Sequence, residues 1–204
     1  KDYVIVGAAQ DHKTVFNKNT GPNTGGMGCV FPGLVVNNKI IKECEIKIIK
    51  PFMKGMENEQ RPYSGVLYFG GMITKTGVKI VEFNARWGDP EAEVILPSIT
   101  TDYLAIVKKI LQKKLKGAKI TLDKKTRVSV AGCSIGYPDD YTSVKGKKVL
   151  GLQNISKDAL VYGSGISKNK NEFVVNGGRI MHIVGIGKDV VGARAQVYSE
   201  ISKV

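Results

Sequence analysis

The chain has 204 residues, 42% of them hydrophobic and 24% charged, with 31 basic against 18 acidic side chains and a net charge of +13. That length fits one large domain or two small ones, and the composition excludes a mostly disordered chain. No window approaches the ~18–20 continuous apolar residues of a membrane helix, and no basic-then-apolar leader opens the sequence. Three widely spaced cysteines, Cys29, Cys44 and Cys133, fit neither a disulfide framework nor a zinc motif, so a reducing cytoplasmic setting is expected.

The charge first reads as a nucleic-acid signature. Its distribution argues otherwise. Residues 101–150 carry 12 basic and 4 acidic residues, whereas residues 1–100 are nearly balanced at 12 and 10. Of the 31 basic residues only 5 are Arg, the side chain whose planar fork suits bidentate base and phosphate recognition. A lysine-rich solvated surface is therefore expected, without a nucleic-acid partner.

In chain order, residues 3–9 (Tyr-Val-Ile-Val-Gly-Ala-Ala) read as a short buried strand. A polar, Gly-rich stretch from Gln10 to Gly28 reads as a long loop, a kind that is usually functional. Ile41, Cys44, Ile48 and Phe52 recur near the 3.6 period and predict a helix over 38–59, kinked or divided by Pro51. Residues 64–74 and 78–84 predict a hairpin turning at Lys75-Thr76-Gly77, with an unusual Gly70-Gly71 inside its first strand. A second polar loop is expected over 85–98. Residues 102–116 read as a helix with Leu104, Val107, Leu111 and Leu115 on its apolar stripe, capped by Gly117. A boundary falls at 117–125. Beyond it, short β-rich runs (126–136, 159–166, 172–176, 179–187) precede a helix near 189–202, which predicts a small α+β or barrel-like domain.

Three segments carry chemistry. The first is Gln10-Asp11-His12-Lys13 with Thr20-Gly21-Pro22-Asn23-Thr24-Gly25-Gly26-Met27-Gly28. Its glycines let backbone N–H groups approach an anion, Lys13 supplies a point charge, and Asp11 can hold an amine. It lacks the spacing of the known phosphate-binding loops, so a flexible surface turn is the competing reading. The second is Val81-Glu82-Phe83-Asn84-Ala85-Arg86. Strand alternation puts Glu82 and Asn84 on one face, an oxygen pair suited to Mg²⁺, with Arg86 beside it for a phosphate. A solvent-facing strand edge competes, but the carboxylate-rich turn Trp87-Gly88-Asp89-Pro90-Glu91 follows directly. The third, Arg127 to Pro138, reads as a packed strand ending in a Gly-Tyr-Pro turn. Cys133 and His182 read as structural residues.

In order and spacing, these segments together with Gly65-Val-Leu-Tyr68 and Val175-Asn-Gly-Gly-Arg179 resemble the phosphoribosylamine–glycine ligase (glycinamide ribonucleotide synthetase) family of ATP-grasp enzymes. The resemblance implies an α+β fold: residues 1–117 as the second half of an ATP-grasp module, and residues 118–204 as a β-rich, barrel-sandwich-like C-terminal domain. It implies a cytoplasmic ligase of purine biosynthesis that joins glycine to 5-phosphoribosylamine through glycyl phosphate, with ATP as co-substrate and Mg²⁺ or Mn²⁺ as cofactor. On the matching positions, Glu82 and Asn84 hold the metal and Arg86 acts catalytically on the phosphoryl group or the substrate carboxylate. Asp11, Lys13, Asn23, Thr24, Gly25, Gly26 and Asp89 line the substrate site. Ala92-Glu93 stand where the family usually has Thr-Gln, Trp87 replaces the usual Phe, and Ala9 a common Ser.

Family chains are about twice as long. The resemblance therefore implies the C-terminal half of a monomeric enzyme, with little activity alone and an apolar hairpin whose exposure favours self-association. The rival readings are another ATP-grasp carboxylate–amine ligase, and a non-catalytic basic module that binds nucleic acid.

Overall fold

The computed structural model describes residues 2–204. In chain order its elements are β1 (Gln10–Phe16), β2 (Thr20–Phe31), α1 (Asn38–Cys44), α2 (Lys50–Asn58), β3 (Tyr68–Thr74), β4 (Gly77–Asn84), α3 (Ala92–Ile95), α4 (Tyr103–Leu111), β5 (Thr126–Cys133), β6 (Leu160–Gly163), β7 (Ile166–Asn169), β8 (Glu172–Val175), β9 (Arg179–Gly187) and α5 (Val190–Ile201). Helices and strands are mixed, as the α+β class requires.

The chain packs as two units that interleave in sequence. One comprises residues 2–8, Val35–Gly88 and Ile99–Asp123; the other comprises Ala9–Leu34, Asp89–Ser98 and Lys124–Val204. These packing units do not follow a single division at 117–118. The physical reason is backbone pairing: β2 hydrogen-bonds to β5 from Gly28↔Val130 to Phe31↔Arg127, which joins an early segment to the late sheet.

In the first unit, Asn37 caps α1 by accepting from Ile40 N–H at 3.1 Å. One π-type turn, Glu45–Ile49, joins α1 to α2. The expected break at Pro51 is thus a widened turn just ahead of the proline, at the start of α2, where a missing N–H is tolerated. Strands β3 and β4 form the expected hairpin, with a register shift at Gly70/Gly71. Helix α4 starts at the cap Asp102 and is shorter than expected. Its buried residue is Ile106, while Leu104 and Leu111 are exposed, so the inward face is rotated from the anticipated stripe. Lys113, not Gly117, supplies the left-handed residue after this helix. Residues 3–9 form no strand; Tyr3 instead donates its hydroxyl to Glu45 Oε1 at 2.6 Å.

The second unit is built on a five-stranded antiparallel sheet ordered β1-β2-β5-β9-β6. Helix α5, capped by Asp189, packs on β9 and β5. Val30, Val128, Met181, Ile183, Ala193 and Val197 meet in this core, the last three of them fully buried. Gly185 lets the helix sit close, because a Cβ there would strike the Ala193 carbonyl. The Gln10–Gly28 stretch is therefore not a loop but the β1–β2 hairpin. Two register shifts, between His12 and Thr14 and between Thr14 and Phe16, break its regularity. Glycines at positive φ (Gly21, +84°; Gly26, +124°) hide its strand character from a propensity reading.

Candidate functional site

In the first unit, the antiparallel register sets Glu82 opposite Gly70 and Asn84 opposite Tyr68, with Phe83 opposite Phe69 between them. The register is unbroken over these three pairs, so Glu82 and Asn84 share one face. The bare Gly70 makes room for the acid: a Cβ there would sit 3.2 Å from Glu82 Cγ and 3.3 Å from the Tyr68 hydroxyl. Phe83 turns the other way and stacks against Phe52, with ring centroids 5.1 Å apart. It nevertheless stays 41% exposed. Arg86 lies past the end of β4 and donates from Nη1 to the Trp87 carbonyl at 2.8 Å.

In the second unit, Lys13 Nζ lies 2.7 Å from Asp11 Oδ2, so the acid expected to hold a substrate amine is already paired with its own lysine. Thr24 Oγ1 donates to the Lys13 carbonyl at 2.8 Å and accepts from Gly26 N–H at 2.9 Å, which fixes the turn between them. Gly25 N–H donates to the Tyr137 hydroxyl at 3.0 Å. Asn23 is exposed and pairs in register with Thr14.

Arg179, the first residue of β9, ties these parts together. Its Nη1 lies 2.9 Å from Asp89 Oδ1. The same nitrogen donates to the carbonyls of Gly25 at 3.2 Å, Asp89 at 3.3 Å and Gly26 at 3.4 Å. One guanidinium thus clamps the Gly-rich segment and the Asp89 turn. Gly25 and Gly26 fit this arrangement: a Cβ on Gly25 would press on the guanidinium, and one on Gly26 would strike Pro90.

Beneath Asp89, two more ionisable groups converge. His182 is fully buried, and its Nε2 lies 3.8 Å from Asp89 Oδ1. Its Nδ1 lies 3.3 Å from Ser129 Oγ. Burial, with Arg179 nearby, pushes the imidazole down to about 4. Burial also pushes the Glu93 carboxyl up, aided by Asp89 and Glu91. Cys133 is raised to about 11 by burial and so carries no thiolate at neutral pH, as its structural reading requires.

Within the second unit, Asp11, Lys13, Thr24, Gly25, Gly26 and Asp89 come together as the sequence led us to expect. Glu82 and Asn84 come together in the first unit. Tyr137, Arg179 and Glu93 carry no role expected from the sequence, and His182 reads there as structural. Arg179 and Tyr137 lie in motifs already noted, but their reach to Gly25 exists only across the folded sheet. Strand alternation around Met181-His182-Ile183 was the one available sign that His182 faces away from α5.

Two models of one family match the chain. The phosphoribosylglycinamide synthetase ATP-grasp (A) domain covers residues 1–92, and the C domain of the same synthetase covers residues 127–204. The phosphoribosylamine–glycine ligase of Caldanaerobacter subterraneus is 43% identical over 196 residues, which is 96% of this chain and 46% of that protein. The crystal structure of the Thermotoga maritima phosphoribosylamine–glycine ligase superposes with a TM-score of 0.79 at 30% identity, over 96% of this chain and 47% of that one. An ADP complex of N5-carboxyaminoimidazole ribonucleotide synthetase shares the fold at 12% identity, with a TM-score of 0.55 over 92% of this chain and 42% of that one. The chain spans about half the length of the curated relatives it matches. With both domain models matched in succession across most of its length, the chain belongs to the phosphoribosylglycinamide synthetase family.

Proposed function

We propose that this chain carries part of the active site of an ATP-dependent carbon–nitrogen ligase that joins glycine to 5-phosphoribosylamine in purine biosynthesis. The glycine carboxylate takes the γ-phosphoryl group of ATP and ADP leaves. The ribosylamine nitrogen then attacks the acyl carbon, phosphate departs, and the nitrogen loses a proton to give the amide. The observation that carries this reading is the Glu82/Asn84 pair on one face of β4, opposite Gly70.

That pair fits a divalent ion of the Mg²⁺ or Mn²⁺ class by its chemistry: one carboxylate and one amide oxygen, both hard donors. Such an ion neutralises charge on the ATP phosphates when bound. On this reading Arg86, just past the strand, steadies the phosphoryl group or the substrate carboxylate. Thr24, Gly25, Gly26 and Asp89, held by Arg179, and the Asp11–Lys13 pair and Asn23 beside them, form the substrate-facing part. On this reading residues 1–117 are the later part of an ATP-grasp module, and residues 118–204 are a barrel-sandwich-like domain whose β5 pairs with β2.

No helix among the described residues is long and apolar enough to cross a membrane, and the three cysteines are free. The reading includes no nucleic-acid partner, and the scarcity of Arg among the basic residues supports this.

Calorimetric titration of Mg-ATP tests the reading, with the wild-type chain set beside Glu82→Gln and Asn84→Ala. Binding that weakens at least ~10-fold in either variant supports it. Binding of equal strength in all three chains, or tighter binding of nucleic acid than of Mg-ATP at physiological salt, would overturn it.

A further inference from the structure

A second group of metal-type ligands lies in the sheet unit, separate from Glu82 and Asn84. Asp89, Glu93 and His182 each present one donor atom, and these atoms lie within 4.8 Å of one another. Two of the three donors are buried and unsatisfied. His182 Nε2 and Glu93 Oε2 are shielded from solvent and have no hydrogen-bond partner. Leaving such atoms buried and unpaired forfeits their hydration, so their convergence asks for an occupant.

The fold explains how they meet. Met181 and Ile183 of β9 enter the core under α5, so His182 faces the opposite side of the sheet, beside Ser129 of β5. The Asp89 turn and α3 pack on β2, β5 and β9 and bring the two carboxylates to that side. Asp89 is 42% exposed at its side chain, which leaves a path from solvent.

We propose that His182 Nε2, Glu93 and Asp89 form a binding site for a divalent transition-metal ion of the Zn²⁺, Co²⁺ or Ni²⁺ class. Imidazole selects these ions over Mg²⁺, and two carboxylates complete a three-ligand set with room for water on the Asp89 side. With Nδ1–H donated to Ser129 Oγ, Nε2 keeps its lone pair for the ion, and the hydroxyl holds the ring in place. The donors must draw in modestly, since ligands around a tetrahedral ion at ~2.0–2.2 Å lie ~3.3 Å apart. Two carboxylates against the single Arg179 guanidinium leave a net negative charge to meet the cation.

The site shares Asp89 with the proposed substrate-facing part but does not rest on the ligase reading, and its test reads the metal directly. The full chain, stripped with a chelator, is titrated with Zn²⁺ in competition with a chromophoric chelator. A parallel titration with Co²⁺ is followed by visible absorption, with Mg²⁺ in excess to occupy hard-oxygen sites. The expected result is one equivalent bound, an intense visible Co²⁺ band, and affinity reduced at least ~10-fold in both Glu93→Gln and His182→Gln. Glu93→Gln is nearly isosteric, and its circular dichroism and melting temperature check that it folds, so the test does not hinge on the buried histidine variant. Flat titrations, as an ordered water in place of the ion would give, overturn the proposal. So does binding that persists unchanged in Glu93→Gln, or that is lost in Glu82→Gln instead.

Discussion

Arg179 Nη1 lies 2.9 Å from Asp89 Oδ1 while the same nitrogen caps the carbonyls of Gly25 and Gly26. One side chain from the start of β9 thereby organises two segments more than 60 residues apart in sequence from each other. Arg179→Ala is expected to cost about 1–3 kcal/mol in urea unfolding, because Asp89 and two carbonyls lose their donor together. Arg179→Lys should recover less than half of this, since the shorter side chain brings its compact ammonium short of the position of Nη1. A loss below ~0.5 kcal/mol for the alanine variant would show that solvent replaces the clamp.

Two glycine substitutions should move stability in opposite directions. A Cβ on Gly28 would run into the Ser129 carbonyl oxygen in the β2–β5 pairing. Gly28→Ala is therefore expected to destabilise by about 1–3 kcal/mol, as overpacking does. Gly55, inside α2, has no atom beyond its chain neighbours and its own helix backbone within 4 Å of where a Cβ would be. Gly55→Ala should stabilise by about 0.5–1 kcal/mol through helix propensity and unfolded-state entropy. Equal effects in thermal melts would contradict this packing.

His182 sets the acid limb of stability. Its folded-state value, about 4, lies below the ordinary 6.5, so between these values the unfolded chain binds the extra proton. The stabilisation is complete above pH ~6.5 and is lost as pH falls toward ~4, by roughly 3 kcal/mol in all. Glu93, raised by burial, acts in the opposite sense above the ordinary carboxylate value: there the folded chain binds the proton, and stability grows as pH falls. Denaturant unfolding at pH 7 and pH 5 should thus show a loss that is steeper in Glu93→Gln and shallower in His182→Gln. An NMR titration in which the His182 imidazole protonates near 6.5 would refute the assignment.

The β3–β4 hairpin leaves Met72 (62%), Val81 (61%), Ile80 (45%) and Phe83 (41%) exposed. Such apolar strand surface favours association. Sedimentation velocity should show concentration-dependent growth in mass, reduced in Met72→Lys/Val81→Lys. A strictly monomeric chain across the concentration range would contradict this expectation.

Much of the candidate site was legible because its chemistry is local. Glu82 and Asn84 share a face by strand alternation alone, and Gly70 opposite Glu82 is unusual as a strand glycine. The hairpin built from Gln10–Phe16 and Thr20–Phe31 was not legible. Glycines, register shifts and polar residues erase the period-2 signal, and only pairing of β2 with β5 turns this stretch into sheet. The rotation of α4 toward Ile106 was hidden for a similar reason, since the apolar residues around the helix are too many to fix one face.

The sequence by itself determined the family and the shared face of Glu82 and Asn84 on β4, because motifs and strand alternation are properties of neighbouring residues. The tertiary structure alone decided which side chains share an environment. Asp11 meets its own Lys13, Arg179 reaches Gly25 across 154 positions, and His182 turns toward Glu93 and Asp89 on the face away from α5. These contacts depend on strand order and on which face of the sheet each segment covers, and both are set by burying apolar surface over the whole chain.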